Sequence, residues 1–220
     1  MFRRNLLAKQ LKLMGVAVPG EAYAPLLWFL EELGRWNRRI NLTAITDFNE
    51  GVEKHLVDAL TLLPLLRGDE TLLDVGSGGG FPGLPLKIVL PQLNICSIDA
   101  IRKKIEFQQH VVRKLALKGF DPVHGRIEER VKGNEWAGAF EVVTARAFAS
   151  LVDLGRLALP ALAPGGRLLA MKGSGGEREL KEALPDLSEM GVTCTEIRRL
   201  KLPISGAGRT LLTFERVEKG

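Results

Sequence analysis

The chain is poor in the residues that hold metals and form covalent staples: its 220 residues include two cysteines and three histidines. Cys96 and Cys194 lie far apart, each in an apolar run of β type, and read as reduced packing residues rather than a disulfide or a metal pair. His55, His110 and His124 are scattered as well, so no zinc spacing exists and no metal is expected. Long apolar runs are also missing. Nothing approaches the ~18 to 20 uninterrupted apolar residues of a membrane span, and the opening Met-Phe-Arg-Arg-Asn lacks the apolar centre of a secretion signal. A cytoplasmic protein without a membrane partner is the expectation.

What is present suffices for one core. At 45% hydrophobic residues, the composition demands no second domain, and one domain with an appendage is the default. The net charge of +5 permits a polyanionic partner without requiring one. Its distribution says more: residues 1–40 carry seven Lys or Arg against three Glu, whereas 41–70 carry two against six acidic groups. Further basic clusters stand at Arg102, Lys103 and Lys104, at Arg113, Lys114 and Lys118, and at Arg198, Arg199 and Lys201. Each alone is an ordinary solvated face; convergence on one surface would make a binding site.

The chain is organised around Thr71-Leu-Leu-Asp-Val-Gly-Ser-Gly-Gly-Gly-Phe-Pro-Gly, an apolar run, a glycine cluster and a helical pattern opening at Pro82. That order reads as strand, tight turn and helix, with the strand buried on both faces. Gly76, Gly78, Gly79 and Gly80 let the backbone lie flush against a ligand, and the free amides of the following helix are expected to face the same crevice. A GxGxxG can be found at Gly78, Gly80 and Gly83, so a nicotinamide site has to be weighed. Its register is wrong, because counting from Gly76 places Phe81 where the third glycine belongs. Asp74 beside the glycines would repel phosphates and attract a cation, which favours S-adenosylmethionine, with a structural turn as the plain alternative.

Helical spacing predicts helices over 3–14, 21–39 and 49–66, the last carrying His55 and Asp58 at i, i+3 on a shared face, where a local side-chain hydrogen bond is the simplest account. After the glycine turn come a helix over 82–90, a buried strand over 93–98 ending at Asp99, and a helix over 101–117. Asp99 stands 23 residues beyond Gly76, near the ~20 expected of a carboxylate that reads ribose hydroxyls, and it can equally cap the next helix. A strand at 123–124 is followed by Arg126, Ile127 and Glu128, where Ile127 could pack on an adenine face. Strand four, 140–145, delivers Arg146 to the same edge, and strand five, 167–171, delivers Lys172. A helix over 177–190 leads to two β runs, 193–200 and 209–215, joined closely enough for an antiparallel hairpin. The sum is an α/β fold with a mostly parallel sheet and an antiparallel edge.

Asn41-Leu-Thr-Ala, His55 with Asp58, the stretch from Leu73 to Pro85, Arg126-Ile-Glu-Glu, Thr144-Ala-Arg-Ala and Met171-Lys-Gly together resemble the glucose-inhibited division protein B family over nearly the whole chain. The resemblance implies a Rossmann-like, seven-stranded class I S-adenosylmethionine-dependent methyltransferase domain over 67–220, with an N-terminal helical extension over 1–66 packed on it. It also implies methylation of guanine N7 in small-subunit ribosomal RNA, leaving S-adenosylhomocysteine, by a monomer whose substrate is the RNA or the assembled subunit. Carried over by position, Gly76, Gly78, Phe81, Asp99, Ile127, Glu128 and Arg146 would hold the cofactor, while Arg126 and Lys172 would meet the RNA. This chain departs from the family at Gly79, where Ala is usual, and at Ala100, where Ser is usual and a ribose contact would be lost.

Guanine N7 holds an in-plane lone pair and no proton, so no general base is required and positioning is the expected contribution. Arg146, the one possible catalytic group, is expected to bond O6, a phosphate or the cofactor carboxylate rather than N7. Arg3, Arg4, Lys9, Arg35, Arg38 and Arg39 form an outlying basic patch. Two rival readings stay open: a methyltransferase of a small molecule or protein, and a nucleotide-binding module without turnover.

Overall fold

The computed structural model describes residues 2–148 and 150–217. Two helices open the chain, α1 (Phe2–Leu13) and α2 (Tyr23–Ile40). α2 ends at Asn41, which takes a left-handed φ of 49° and donates its N–H to the Asn37 carbonyl. A third helical stretch begins as α3 (Phe48–Gly51), where Asp47 accepts the Glu50 N–H, widens into a π turn over Val52–Val57 and closes as α4 (Asp58–Leu60). The helix expected over 49–66 therefore stops early. Pro64, with no N–H to give, falls in a separate short turn, Leu63–Leu65.

Strands and helices then alternate: β1 (Thr71–Val75), α5 (Gly83–Val89), β2 (Asn94–Asp99), α6 (Arg102–Leu115), β3 (Phe120–His124), α7 (Ile127–Lys132), β4 (Phe140–Arg146), α8 (Leu151–Ala158), β5 (Leu162–Gly173), α9 (Gly176–Glu189), β6 (Val192–Lys201) and β7 (Gly208–Arg216). They build one seven-stranded sheet in the order β3-β2-β1-β4-β5-β7-β6. β1 to β5 pair in parallel, and β7 runs antiparallel between β5 and β6. The expected hairpin is thus the antiparallel edge, and strand five is longer than its apolar centre suggested.

Strand alternation sorts the core into two layers. Leu72, Val142, Leu169, Met171 and Leu211 pack with Leu7, Leu11, Leu26, Phe29, Leu56, Leu84 and Phe107 on one face. Leu73, Val75, Val143, Ala145, Leu168 and Leu212 pack with Leu151, Leu154, Leu180 and Leu187 on the other. The opening helices share their core with α5 and α6, so truncating the fully buried Phe29 to Ala would strike both at about 3–5 kcal/mol. Among the described residues, no helix is long and apolar enough to cross a membrane, and no group of three or more His, Cys, Asp or Glu could hold a metal ion. Both cysteines are free, and burial pushes the Cys96 thiol up to about 12, where it stays protonated.

Candidate active site

The strand order reverses between β1 and β4, and there, outside the carboxyl ends of the strands, lies a cavity of about 520 Å³. One wall is main chain. Gly76 and Gly78 take φ of +66° and +58°, and a β-carbon on Gly78 would meet nothing within 4 Å, so the turn leaves bare backbone open to a ligand. The turn is pinned from beneath. The N–H groups of Gly76 and Ser77 donate to the Ile98 carbonyl at 2.9 and 3.1 Å, and Gly78 N–H donates to Asp99 Oδ2 at 2.9 Å. Buried Gln108 donates to Ser77 Oγ and the Gly78 carbonyl, both at 2.8 Å, and accepts from Ser97 Oγ. Such a satisfied buried network fixes the loop in one conformation.

Asp74 does not stand where the sequence suggested. It shares its strand face with Leu72, so it points at the start of α5 and not into the crevice: it is fully buried and accepts Gly83 N–H at 2.9 Å through Oδ2. The helix amide expected to face a ligand is therefore taken by the chain's own carboxylate. Oδ1 has no partner among the described residues. Burial pushes the Asp74 carboxyl up to about 7, against the Gly83 N–H and Arg146, which favour its charged form. The cavity wall is consequently not acidic; Lys54, Lys104, Arg146, Lys172 and Arg209 all line it, with Asp58 among them.

These charges are paired. Asp58 Oδ1 accepts Arg209 Nε at 2.8 Å, and Oδ2 lies 3.6 Å from Arg146 Nη1. Arg146 also donates to the Lys54 carbonyl at 2.9 Å, and its guanidinium carbon stands 4.9 Å from the centre of the Phe81 ring. Phe81 in turn stacks on His55 with centroids 4.5 Å apart. Nε2 of His55 is 2.9 Å from Thr43 Oγ1, and Nδ1 is 3.5 Å from Arg146 Nη2. Burial, aided by the Arg146 charge, lowers the His55 pKa to about 3, so the imidazole is neutral and accepts at Nδ1. His55 and Asp58 make no bond to each other; the π turn between them sends each to a distant partner.

Of the expected cofactor residues, Gly76, Gly78, Phe81 and Arg146 line this cavity, and Asp99 borders it through Gly78. Asp99 also accepts Ile101 N–H at 2.8 Å beside the start of α6, so it ties the glycine turn to the chain entering that helix, although its side chain makes no cap bond to the helix itself. Ile127 and Glu128 open α7 beyond the cavity, joined to Asp99 by the bond from Gly125 N–H to the Asp99 carbonyl at 3.2 Å. Ile127 is buried in the second core layer, Glu128 half-buried and Arg126 exposed. Lys172 reaches the wall, but it is only 8% exposed, and its ammonium donates to the Phe148 carbonyl at 3.0 Å and to Glu179 at 2.8 Å. Arg209 was missed. It is the second residue of β7, after a glycine-rich loop, and only the hairpin's return to the rim, where Glu53 accepts Ser205 N–H at 2.9 Å, brings it here.

A sheet of this order, with a glycine turn and an open cavity at its reversal point, defines the class I methyltransferases. The fold matches M. jannaschii TYW2 in complex with AdoMet (TM-score 0.61, 13% identical, 82% of this chain and 80% of that one). It also matches the precorrin-6y C5,15-methyltransferase of Geobacter metallireducens (TM-score 0.55, 16% identical, 73% and 87%). The family model GidB, rRNA small subunit methyltransferase G, matches residues 23–204, and the chain belongs to that family. Relatives named ribosomal RNA small subunit methyltransferase G are 48% identical in Syntrophotalea carbinolica (97% of this chain, 98% of the relative) and 44% identical in Geobacter sulfurreducens (90% and 91%).

Proposed function

We propose that the protein transfers a methyl group from S-adenosylmethionine to N7 of a guanine in small-subunit ribosomal RNA. The observation that carries this reading is the cavity at the reversal point, walled by bare glycine backbone and by Arg146, in a chain of this family. The residues fit the cofactor: a side chain on Gly78 would project into open space that a ligand can fill, and the volume is that of small-molecule sites. Gly76, Gly78, Phe81, Asp99 and Arg146 would hold it, with Ile127 and Glu128 toward the adenine end. When bound, it supplies an electrophilic methyl group.

The chain's own residues position and do not abstract protons. Both nitrogens of His55 are engaged; burial lowers the Arg146 pKa, while Asp58 favours its charged form. Removing no proton from the target agrees with N7 as the acceptor, since that atom carries none. Arg126 is the proposed RNA contact beside the site; Lys172 would reach RNA only by exchanging its bond to Glu179. We assign 67–220 to the methyltransferase domain and 1–66 to a helical extension; Met1, Ala149 and residues 218–220 lie outside the described residues. A monomer acting where ribosomes are assembled, in the cytoplasm, completes the proposal.

The test is incubation of purified protein with methyl-labelled S-adenosylmethionine and either free small-subunit RNA or assembled subunits. Label in guanine N7 of one of them is expected. Label in protein or a small molecule, or cofactor binding without transfer, would replace this reading with one of its rivals. Arg146→Ala should lower turnover by more than it lowers cofactor affinity; unchanged methylation would remove Arg146 from the mechanism.

A further inference from the structure

A second and larger hollow, about 870 Å³, lies between α2 and the loop over 41–47, and it shares Thr43, Ile45 and His55 with the inner cavity. The two are therefore lobes of one depression, with the neutral His55 ring at the boundary. The loop is held open as a wall: Asn37 donates to the Thr43 carbonyl and accepts Thr43 N–H, both at 2.9 Å. On the far side of α2 is a third hollow, about 440 Å³, lined by Trp36, Arg39 and Ile40. Arg35 and Arg38 line both the second and the third hollow, so they form the ridge between them.

The basic residues here differ in what they are free to do. Arg3 is bonded to Glu31 and lies over the Phe48 ring at 4.1 Å, and Arg4 lies over Tyr23 at 5.3 Å. Arg35 gives one nitrogen to Glu32 at 3.0 Å and is otherwise exposed. Arg38 and Arg39 are exposed and make no ion pair among the described residues. Glu32 offsets Arg35, so the attraction for anions comes from Arg38 and Arg39, whose two charges exceed the roughly half negative charge at the end of α2.

We infer that the outer lobe and this arginine ridge seat an unpaired stretch of RNA next to the target guanine, its backbone crossing α2 at Arg35, Arg38 and Arg39. The inference rests on the reading of the protein as an RNA methyltransferase and deepens it. The glycine turn sits inside the inner lobe, and a base stacked in an A-form duplex cannot bring N7 there, since that groove is too narrow for side chains to enter. Enzymes that modify a base take it out of the stack, so the strand must be open at the target and its neighbours need a surface. The outer lobe is the surface continuous with the site, and its apolar floor of Leu30, Leu33 and Ile45 suits base faces.

The experiment uses the full chain with a fluorescent single-stranded oligoribonucleotide containing the unmethylated target guanine, titrated across about 50 to 200 mM salt. Arg38→Gln with Arg39→Gln should flatten the salt slope by about 1.4, because two phosphates of a single strand are then left without a neutralising guanidinium. The Michaelis constant for RNA should rise about tenfold, while kcat and calorimetric S-adenosylmethionine binding stay unchanged. Ile45→Trp, which narrows the outer lobe where it meets the inner one, should raise the same constant without altering the slope. Tighter binding of a duplex than of the single strand, or an unchanged slope and Michaelis constant in the double variant, would overturn the inference. If the wild-type protein takes up no S-adenosylmethionine or methylates no RNA, it is the reading of function that fails instead.

Discussion

The inner lobe of the depression is lined by five basic side chains and the outer by three, Arg3, Arg35 and Arg38, with Arg39 across the ridge, and the two sets differ in how far they are committed to partners. Inside, the cations with an assigned partner are spoken for: Arg146 and Arg209 by Asp58, Lys172 by Glu179, Lys104 by Asp99, Lys54 by Glu50. Outside, Arg38 and Arg39 stand without an ion pair among the described residues. A paired and half-buried charge shapes a site and holds its geometry, because desolvation makes its removal expensive. An unpaired surface charge contributes little to folding and is left to recruit a polyanion. The difference separates residues that build the site from residues that bring the substrate to it.

The hardest break of that contrast is Asp58→Ala. It leaves two guanidiniums together without their carboxylate and should cost about 3–5 kcal/mol in chemical denaturation, along with methylation. Next comes the pH dependence of stability. Asp74 is held up to about 7, so its burial penalty is absent below the unfolded carboxyl value and grows as pH rises from about 4 to 7. His55, lowered to about 3, acts the other way, and stability is lost as pH falls from about 6.5 toward 3. The two slopes oppose each other between about pH 4 and 6.5. Asp74→Asn should raise stability at pH 8 and leave a curve that only falls on acidification; an unaltered curve would contradict the burial of Asp74 as a strained acid.

Smaller effects sharpen the contrast. Gly78→Ala forces a side chain into the left-handed region at about 1–2 kcal/mol and places a methyl in the cavity, so cofactor binding by calorimetry should weaken more than the melting point falls. Lys172→Met should alter stability and turnover and leave the salt slope of RNA binding in place, since its ammonium is held by Glu179 and Phe148. Arg38→Gln should do the reverse, with stability within about 0.5 kcal/mol of the parent.

The local parts of this architecture were legible in the sequence. Leu72 to Gly83 announces strand, turn and helix because each step is set by neighbours in the chain, and the alternation of elements leads to the sheet. Side-chain direction at Asp74 was not, because a carboxylate next to glycines reads as exposed until the strand face is known. His55 and Asp58 look like a pair by spacing, yet the π turn and the distant Thr43, Arg146 and Arg209 decide their roles. Helix α8 carried a readable signal that went unused: Ser150 Oγ accepts Asp153 N–H at 3.0 Å, a cap three residues ahead of an acid. The ridge on α2 was visible only as composition, because what frees Arg38 and occupies Arg3 is tertiary packing.

The division between building and recruiting charges is tested most directly by steady-state methylation of small-subunit RNA as a function of salt in the parent, Arg146→Ala and Arg38→Gln/Arg39→Gln proteins. Arg146→Ala is predicted to lower kcat and keep the parent's salt dependence, whereas the double variant keeps kcat and loses part of that dependence. Identical changes in the two variants, whether in kcat or in salt dependence, would contradict the division.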